Sequence, residues 1–196
     1  MVAIAACYNG NLDTGEEILR PLREFGPPVA DLIAPMPYIA VQTMLDASFP
    51  RGRQYYWKAH LIGQISDAAI DVIIHYFSAV QSPFTMLGFQ QLGNAANRVA
   101  PNATAFSHRD ALYDFLMLSS WEEPAAAERN IERTRRLYDE MRPSLHAGMY
   151  VNGIGGDSGQ PVRAAYRPET FDRLVALKRK YDPTNLFRLN PNISPT

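Results

Sequence analysis

Gln54-Tyr55-Tyr56-Trp57-Lys58-Ala59-His60, then Ser66 and the run Asp67 to Val80, is the stretch that decides the fold. The first segment is dense in aromatic side chains and suits a pleated, half-buried strand. Ser66 is a favoured helix N-cap residue, and Ala69, Val72, Ile73, Tyr76, Phe77 and Val80 recur at the spacing of one helix face. A strand followed at once by an amphipathic helix predicts a sheet with a helical layer. Working outward, Phe84 to Gln90 and Tyr113 to Ser119 read as further strands, and Gly93 to Thr104 between them is loop, punctuated by Gly, Asn and Pro. Upstream, Val2 to Tyr8 reads as a buried strand. Thr14 and Glu17 then stand at capping-box spacing ahead of an apolar face of Ile18, Leu22 and Phe25, with a kink expected at Pro21.

Downstream, Pro124 opens a long helix with Ile131, Thr134, Tyr138 and Met141 on one side and Glu132 paired with Arg136 on the other. Met149 to Asn152 reads as a last strand. A final helix is expected from Pro168 to just before Pro183, burying Phe171, Leu174 and Tyr181 and collecting Lys178, Arg179 and Lys180 at its negative end. The tail after it is extended. The expected fold class is α+β: an antiparallel sheet backed by helices on one face, with an extended C-terminal tail.

The 196 residues are 46% apolar and 20% charged, the balance of a folding globular chain. With 19 basic and 20 acidic side chains, the chain has no electrostatic footprint for nucleic acid or an anionic membrane, which leaves a small molecule as the expected partner. Cys7 is the only cysteine, so no internal disulfide framework exists. No stretch reaches the roughly 20 apolar residues of a spanning helix, and Met1 to Cys7 lacks the basic flank of a signal peptide. A cytoplasmic location is the expectation.

Two motif resemblances fail on inspection. Gly156-Asp157-Ser158-Gly159-Gln160-Pro161 is similar to a trypsin-like nucleophile segment, yet no histidine segment precedes it and the long helical runs do not suit a double β-barrel. His108-Arg109-Asp110 is similar to a kinase catalytic loop, yet Phe115 stands where the metal-binding asparagine should be. His60, His75, His108 and His146 fit no metal-ligand spacing, so no metal is expected.

Asp114 is the chemical oddity. On an alternating strand it shares its face with Leu116 and Leu118, and a carboxylate on an apolar face is desolvated, which raises its pKa toward the range where a general base works. An aspartate satisfied by an arginine or by backbone amides is the structural alternative.

Tyr55-Tyr56-Trp57-Lys58, Thr104-Ala105-Phe106-Ser107-His108-Arg109, Met149-Tyr150-Val151-Asn152 and Tyr181-Asp182-Pro183-Thr184-Asn185-Leu186-Phe187-Arg188-Leu189-Asn190-Pro191-Asn192-Ile193 together resemble the bacterial branch of the berberine-bridge-like FAD-linked oxidases, in that family's order. The resemblance implies a substrate-binding domain over residues 1–148 and, over 149–196, the closing segment that returns to a flavin domain. It implies FAD as cofactor, in a site that is incomplete in this chain, and a flavin-binding domain in cis or in trans as partner. By the same resemblance Asp114 is the catalytic base, Tyr150, Asn152 and Asn190 contact flavin, and Phe89, Gln91 and Gly153 line the substrate pocket. Gly153 departs from the family, which usually carries a larger, substrate-touching side chain there.

The implied activity is oxidation of a small alcohol, sugar or amine, with hydride passing to flavin and a carboxylate taking the proton. A non-catalytic ligand-binding module and a self-associating remnant that forms a homodimer are the alternatives.

Overall fold

Alternation along three segments builds the sheet seen in the computed structural model, which describes residues 1–155 and 162–196. Strand β1 (Gln54–Ile62) pairs antiparallel with β3 (Tyr113–Trp121), and β3 pairs antiparallel with β2 (Met86–Gln91), giving the order β1-β3-β2. The register sets Leu61 and Gln90 on either side of Asp114, and His60 and Phe89 on either side of Phe115. Directly paired residues share a face, so one alternation assigns every side chain of the sheet.

One face is covered by helices α3 (Asp67–Ser78) and α4 (Ala127–Met141). Ser66 caps α3 as its sequence requires, its Oγ accepting the Ala69 N–H at 3.2 Å. Ile62, Phe115 and Met117 from the sheet meet Ala69 and Tyr76 from α3 and Leu137, Tyr138 and Met141 from α4 in one buried cluster. Phe115, Met117 and Ile62 are fully buried, each contributing about 1.5–3 kcal/mol of apolar transfer. The Ser119 and Thr134 hydroxyls satisfy each other at 2.7 Å where α4 crosses β3, and Glu132 pairs with Arg136 on the solvent side of α4. The turn opened by Pro124 is a short 3-10 segment, Pro124–Ala126, before α4 proper.

Helix α5 is Pro168–Tyr181 and ends one residue before Pro183's neighbour, Asp182, which closes it. Phe171 and Leu174 are half-buried as expected, but Tyr181 is 72% exposed, because the last turn of α5 projects past the packed surface. Met149 to Asn152 is not a strand: residues Val151–Gly153 form a 3-10 turn, which lets Gly153 pack onto β1 where a strand would have passed it by.

The contacts divide the chain into two compact units, Met1–Pro50 and Arg51–Thr196. The first unit holds α1 (Leu12–Arg23) and the short α2 (Tyr38–Thr43). Val2 to Tyr8 forms no strand there; Val2 is 92% and Ile4 54% exposed, and Cys7 is exposed too. An apolar run becomes a strand only where a partner strand takes its backbone hydrogen bonds. Asn11, not Thr14, caps α1, its Oδ1 accepting the Asp13 N–H at 2.9 Å. The Thr14 hydroxyl is instead engaged with the Tyr8 hydroxyl at 3.0 Å. Pro21 sits inside α1, and Ile18, Leu22 and Phe25 are exposed rather than packed.

The Gly156 to Pro161 segment lies outside the described residues. Among the described residues no helix is long and apolar enough to cross a membrane.

Candidate active site

The face of the sheet opposite α3 and α4 carries the site. Period-two alternation puts Asp114, Leu116, Leu118 and Ser120 of β3 there, with Leu61, Ala59 and Trp57 of β1 and Gln90, Gly88 and Met86 of β2 beside them in register. Asp114 is the only ionisable group in this set. Its Oδ1 is buried and has no hydrogen-bond partner among the described residues. Burial is the cause that raises its pKa above the usual carboxylate value. Among the described residues neither an arginine nor a backbone amide satisfies that oxygen, which leaves a desolvated acceptor on this face.

The turn Val151–Gly153 flanks this face. The Gly153 N–H donates to the Tyr150 carbonyl at 2.9 Å, closing the turn. A Cβ at Gly153 would lie 3.0 Å from the Ala59 Cβ, tighter than ordinary packing, so the glycine is what allows the turn to sit on β1. Tyr150 is half-buried with its ring edge-on to Phe106 at 5.8 Å, and Asn152 Nδ2 donates to the Tyr150 hydroxyl at 2.8 Å. The structure thus brings Gly153 to the Asp114 side of the sheet, with Tyr150 and Asn152 in the segment leading into that turn.

It does not bring Phe89 and Gln91 there. Phe89 stacks on Phe115 with ring centroids 4.5 Å apart and lies edge-on to Tyr113 at 6.1 Å, so Phe89 and Gln91 belong to the helix-covered face. Their neighbours Gly88 and Gln90 hold the Asp114 side. The sequence could have found this, because pairing a β2 aromatic with core Phe115 fixes the register, and a one-residue slip exchanges faces.

Asn190 is exposed in the tail. Asp182 organises the segment before it, its carboxylate accepting the Leu186 N–H at 2.7 Å and the Phe187 N–H at 3.1 Å while pairing with Lys178. The bond from Lys178 and those from the two amides hold the Asp182 carboxyl below its ordinary pKa, against a smaller opposing effect of desolvation. Asn185 adopts a left-handed φ of 55°, the conformation asparagine tolerates best after glycine.

A second constellation had no signal in sequence spacing. His60, His108 and His146 converge behind the turn. His60 Nε2 donates to the His146 carbonyl at 2.9 Å, and the Tyr138 hydroxyl donates to His60 Nδ1 at 3.0 Å, which assigns His60 as neutral. His146 Nδ1 accepts the Gly148 N–H at 3.0 Å, leaving Nε2 to donate to Asp110 at 3.1 Å; Arg167 approaches the same carboxylate at 3.5 Å. The His146 bond is the main cause that lowers the Asp110 pKa. Burial lowers the pKa of both His60 and His108, against the raising effect of their carbonyl partners.

His108 donates to the Ala164 carbonyl at 3.2 Å, and buried Arg109 reaches the Ala96 carbonyl at 2.6 Å and the Thr104 hydroxyl at 2.5 Å. The His108-Arg109-Asp110 run is thus a clamp on several loops. Among the described residues no cluster of His, Cys, Asp or Glu is arranged to hold a metal ion.

Comparison with known proteins fits this geometry to a lineage. Residues 149–194 match the family described as Berberine and berberine like. An FAD-linked oxidoreductase of Dictyostelium discoideum is 28% identical over 196 residues, covering 99% of this chain and 42% of that protein. (R)-6-hydroxynicotine oxidase of Paenarthrobacter nicotinovorans is 30% identical over 210 aligned positions, covering 99% of this chain and 44% of that protein. The crystal structure of 6-hydroxy-D-nicotine oxidase from Arthrobacter nicotinovorans superposes with a TM-score of 0.71 at 26% identity, over 95% of this chain and 43% of that one. The chain spans about two fifths of the length of the curated relatives it matches. Its residues 149–194 belong to the Berberine and berberine like family, and the chain as a whole is similar to a part of the FAD-linked oxidoreductases that carry this segment.

Proposed function

We propose that this chain is the substrate-facing part of an FAD-dependent oxidoreductase acting on a small alcohol, sugar or amine, with Asp114 as the base. The observation that carries it is the Asp114 Oδ1, buried, unpartnered among the described residues and placed on the sheet face opposite α3 and α4. Flavin, when bound, supplies the hydride acceptor. Asp114 takes the proton from the substrate hydroxyl or amine, and the apolar side chains beside it keep water from solvating its carboxylate, which makes it a stronger base in its ionised form.

The residues present fit one side of the cofactor. Tyr150 and Asn152, already bonded to each other on the shoulder of the Asp114 face, offer a hydroxyl and an amide to the edge of a planar polar ring. Asn190 in the exposed tail offers a further amide. A flavin-binding domain in cis or in trans is proposed to hold the phosphates, since among the described residues no glycine-rich loop opens a helix after a strand. Exposed Trp57 and Met86 on the Asp114 face, and exposed Leu186, Phe187 and Leu189 in the tail, support a docking partner of that kind. A cytoplasmic setting belongs to the same proposal and rests on the use of a single cysteine.

The test joins the chain to a flavin domain from a relative, measures flavin retained after desalting, and follows turnover of a secondary amine and of a primary alcohol. Asp114→Asn is expected to keep the flavin and to lose about 10²- to 10⁴-fold in kcat. Turnover by Asp114→Asn at the wild-type rate would remove Asp114 as base. Homodimers of the chain that exclude the flavin domain would favour the self-associating remnant, and ligand binding without turnover would favour the binding module.

A further inference from the structure

The site as read so far contains a base and a cofactor edge but nothing that chooses the substrate. The register supplies it. Gln90 stands directly across from Asp114, which places their Cβ atoms about 5 Å apart on the same face. Gly88 stands across from Leu116, one row further along, about 7 Å away at two residues of strand rise. A Cβ at Gly88 would meet no atom within 4 Å, so the glycine leaves open space on the face next to the base. Met86 and Trp57 flank the next row at 37% and 42% exposure.

On the β1 side the face is closed: Leu61 is fully buried and Ala59 is covered by Gly153. The opening therefore lies over β2.

We propose that Gln90 and Gly88 are the substrate-selecting residues beside Asp114, and that they admit an apolar ring carrying a single amine or hydroxyl rather than a polyol. This rests on the reading of the Asp114 face as the substrate side. The ring lies over Gly88 and Leu116, its reacting nitrogen or oxygen reaches Asp114, and the Gln90 amide holds the heteroatom in line with the carboxylate. A polyol has a hydroxyl on nearly every carbon, and each one buried without a partner is costly. Among the described residues, the hydrogen-bonding side chains beside this opening are Gln90 and Asp114, with the Trp57 indole N–H one row beyond Leu116; Gly88, Leu116 and Met86 offer none.

Trp57 makes the proposal testable without turnover. It lies on the Asp114 face, whereas the other tryptophan, Trp121, is buried and on the opposite face. The full chain is titrated with N-methylbenzylamine and separately with glucose while tryptophan fluorescence is recorded. N-methylbenzylamine is expected to quench saturably and glucose to leave the signal unchanged; Trp57→Phe is expected to abolish the response. Gly88→Leu, which fills the open space, is expected to weaken the amine about tenfold, and Gln90→Leu about threefold. Far-UV circular dichroism and melting curves confirm that each variant folds.

Saturable glucose binding, wild-type affinity in Gly88→Leu, or no saturable binding of the amine would each overturn the assignment. The two proposals fail separately. Full turnover by Asp114→Asn in the flavin-joined protein removes the base and leaves the Gly88 effect on amine affinity standing; wild-type affinity in folded Gly88→Leu removes the selecting wall and leaves the base.

Discussion

The two faces of one sheet differ in the kind of group each leaves unsatisfied. On the helix-covered face Phe115 and Met117 are fully buried among α3 and α4; Ser119 pairs with Thr134 and His60 with Tyr138 and the His146 carbonyl, while the neutral indole Nε1 of Trp121 is buried without a partner among the described residues. On the other face Asp114 Oδ1 and Ser120 Oγ are buried without partners, Gly88 fronts open space, and Trp57 and Met86 are exposed. The difference teaches that β3 carries stability with one set of alternate residues and chemistry with the other. A buried carboxylate oxygen without a partner costs more than a neutral indole N–H, and a face that must meet ligands keeps it.

That comparison breaks most sharply by truncating neighbours on opposite faces. Phe115→Ala is expected to cost about 3–5 kcal/mol, and half-buried Leu116→Ala less than about 2 kcal/mol, in urea denaturation. Equal costs would mean that both faces are core.

The clamp behind the turn comes next. A Cβ at Gly148 would land within the His108 ring, so Gly148→Ala is expected to destabilise by about 1–3 kcal/mol through overpacking and to displace the Tyr150 segment. Paired loss of stability and of flavin retention in the joined protein supports the clamp; an unchanged melting temperature does not.

The helix-covered face also predicts an acid dependence. His60 is buried and neutral, with its pKa below the ordinary 6.5, so its contribution is present above that value and is lost as pH falls through it. The melting temperature is expected to drop between about pH 7.5 and pH 5.5, and His60→Gln, which keeps one donor and one acceptor, is expected to shrink that drop by about half, the remainder resting with His108. Identical profiles for the two proteins would clear His60 of the effect.

The smallest effect has the opposite sign. The Asp114 pKa is raised by burial, so its contribution is present at low pH and is lost as pH rises above the ordinary value of 3.8. Asp114→Asn is expected to stabilise the chain at neutral pH by about 1 kcal/mol, or about 2–4 °C, with the gain vanishing below about pH 4. A destabilised Asp114→Asn would show a structural aspartate and would blur the contrast between the faces.

What the sequence determined by itself is local and periodic. Ser66 and the apolar spacing after it were enough for α3, alternation was enough for β1 and β3, and Asp114 among leucines was visible as an ill-placed carboxylate because period two does not depend on the rest of the fold. The closing segment from Tyr181 to Ile193 was specific enough to carry the family.

Only the tertiary structure decided the rest. Val2 to Tyr8 and Met149 to Asn152 have the composition of strands, but whether such a run pairs depends on a partner distant in sequence. The faces of Phe89 and Gln90 depended on a register set by pairing across to β3. The convergence of His60, His108 and His146 arose from a strand and two connecting segments widely separated along the chain. Spacing encodes what lies within one element; contacts between elements are fixed by packing, which no single segment contains.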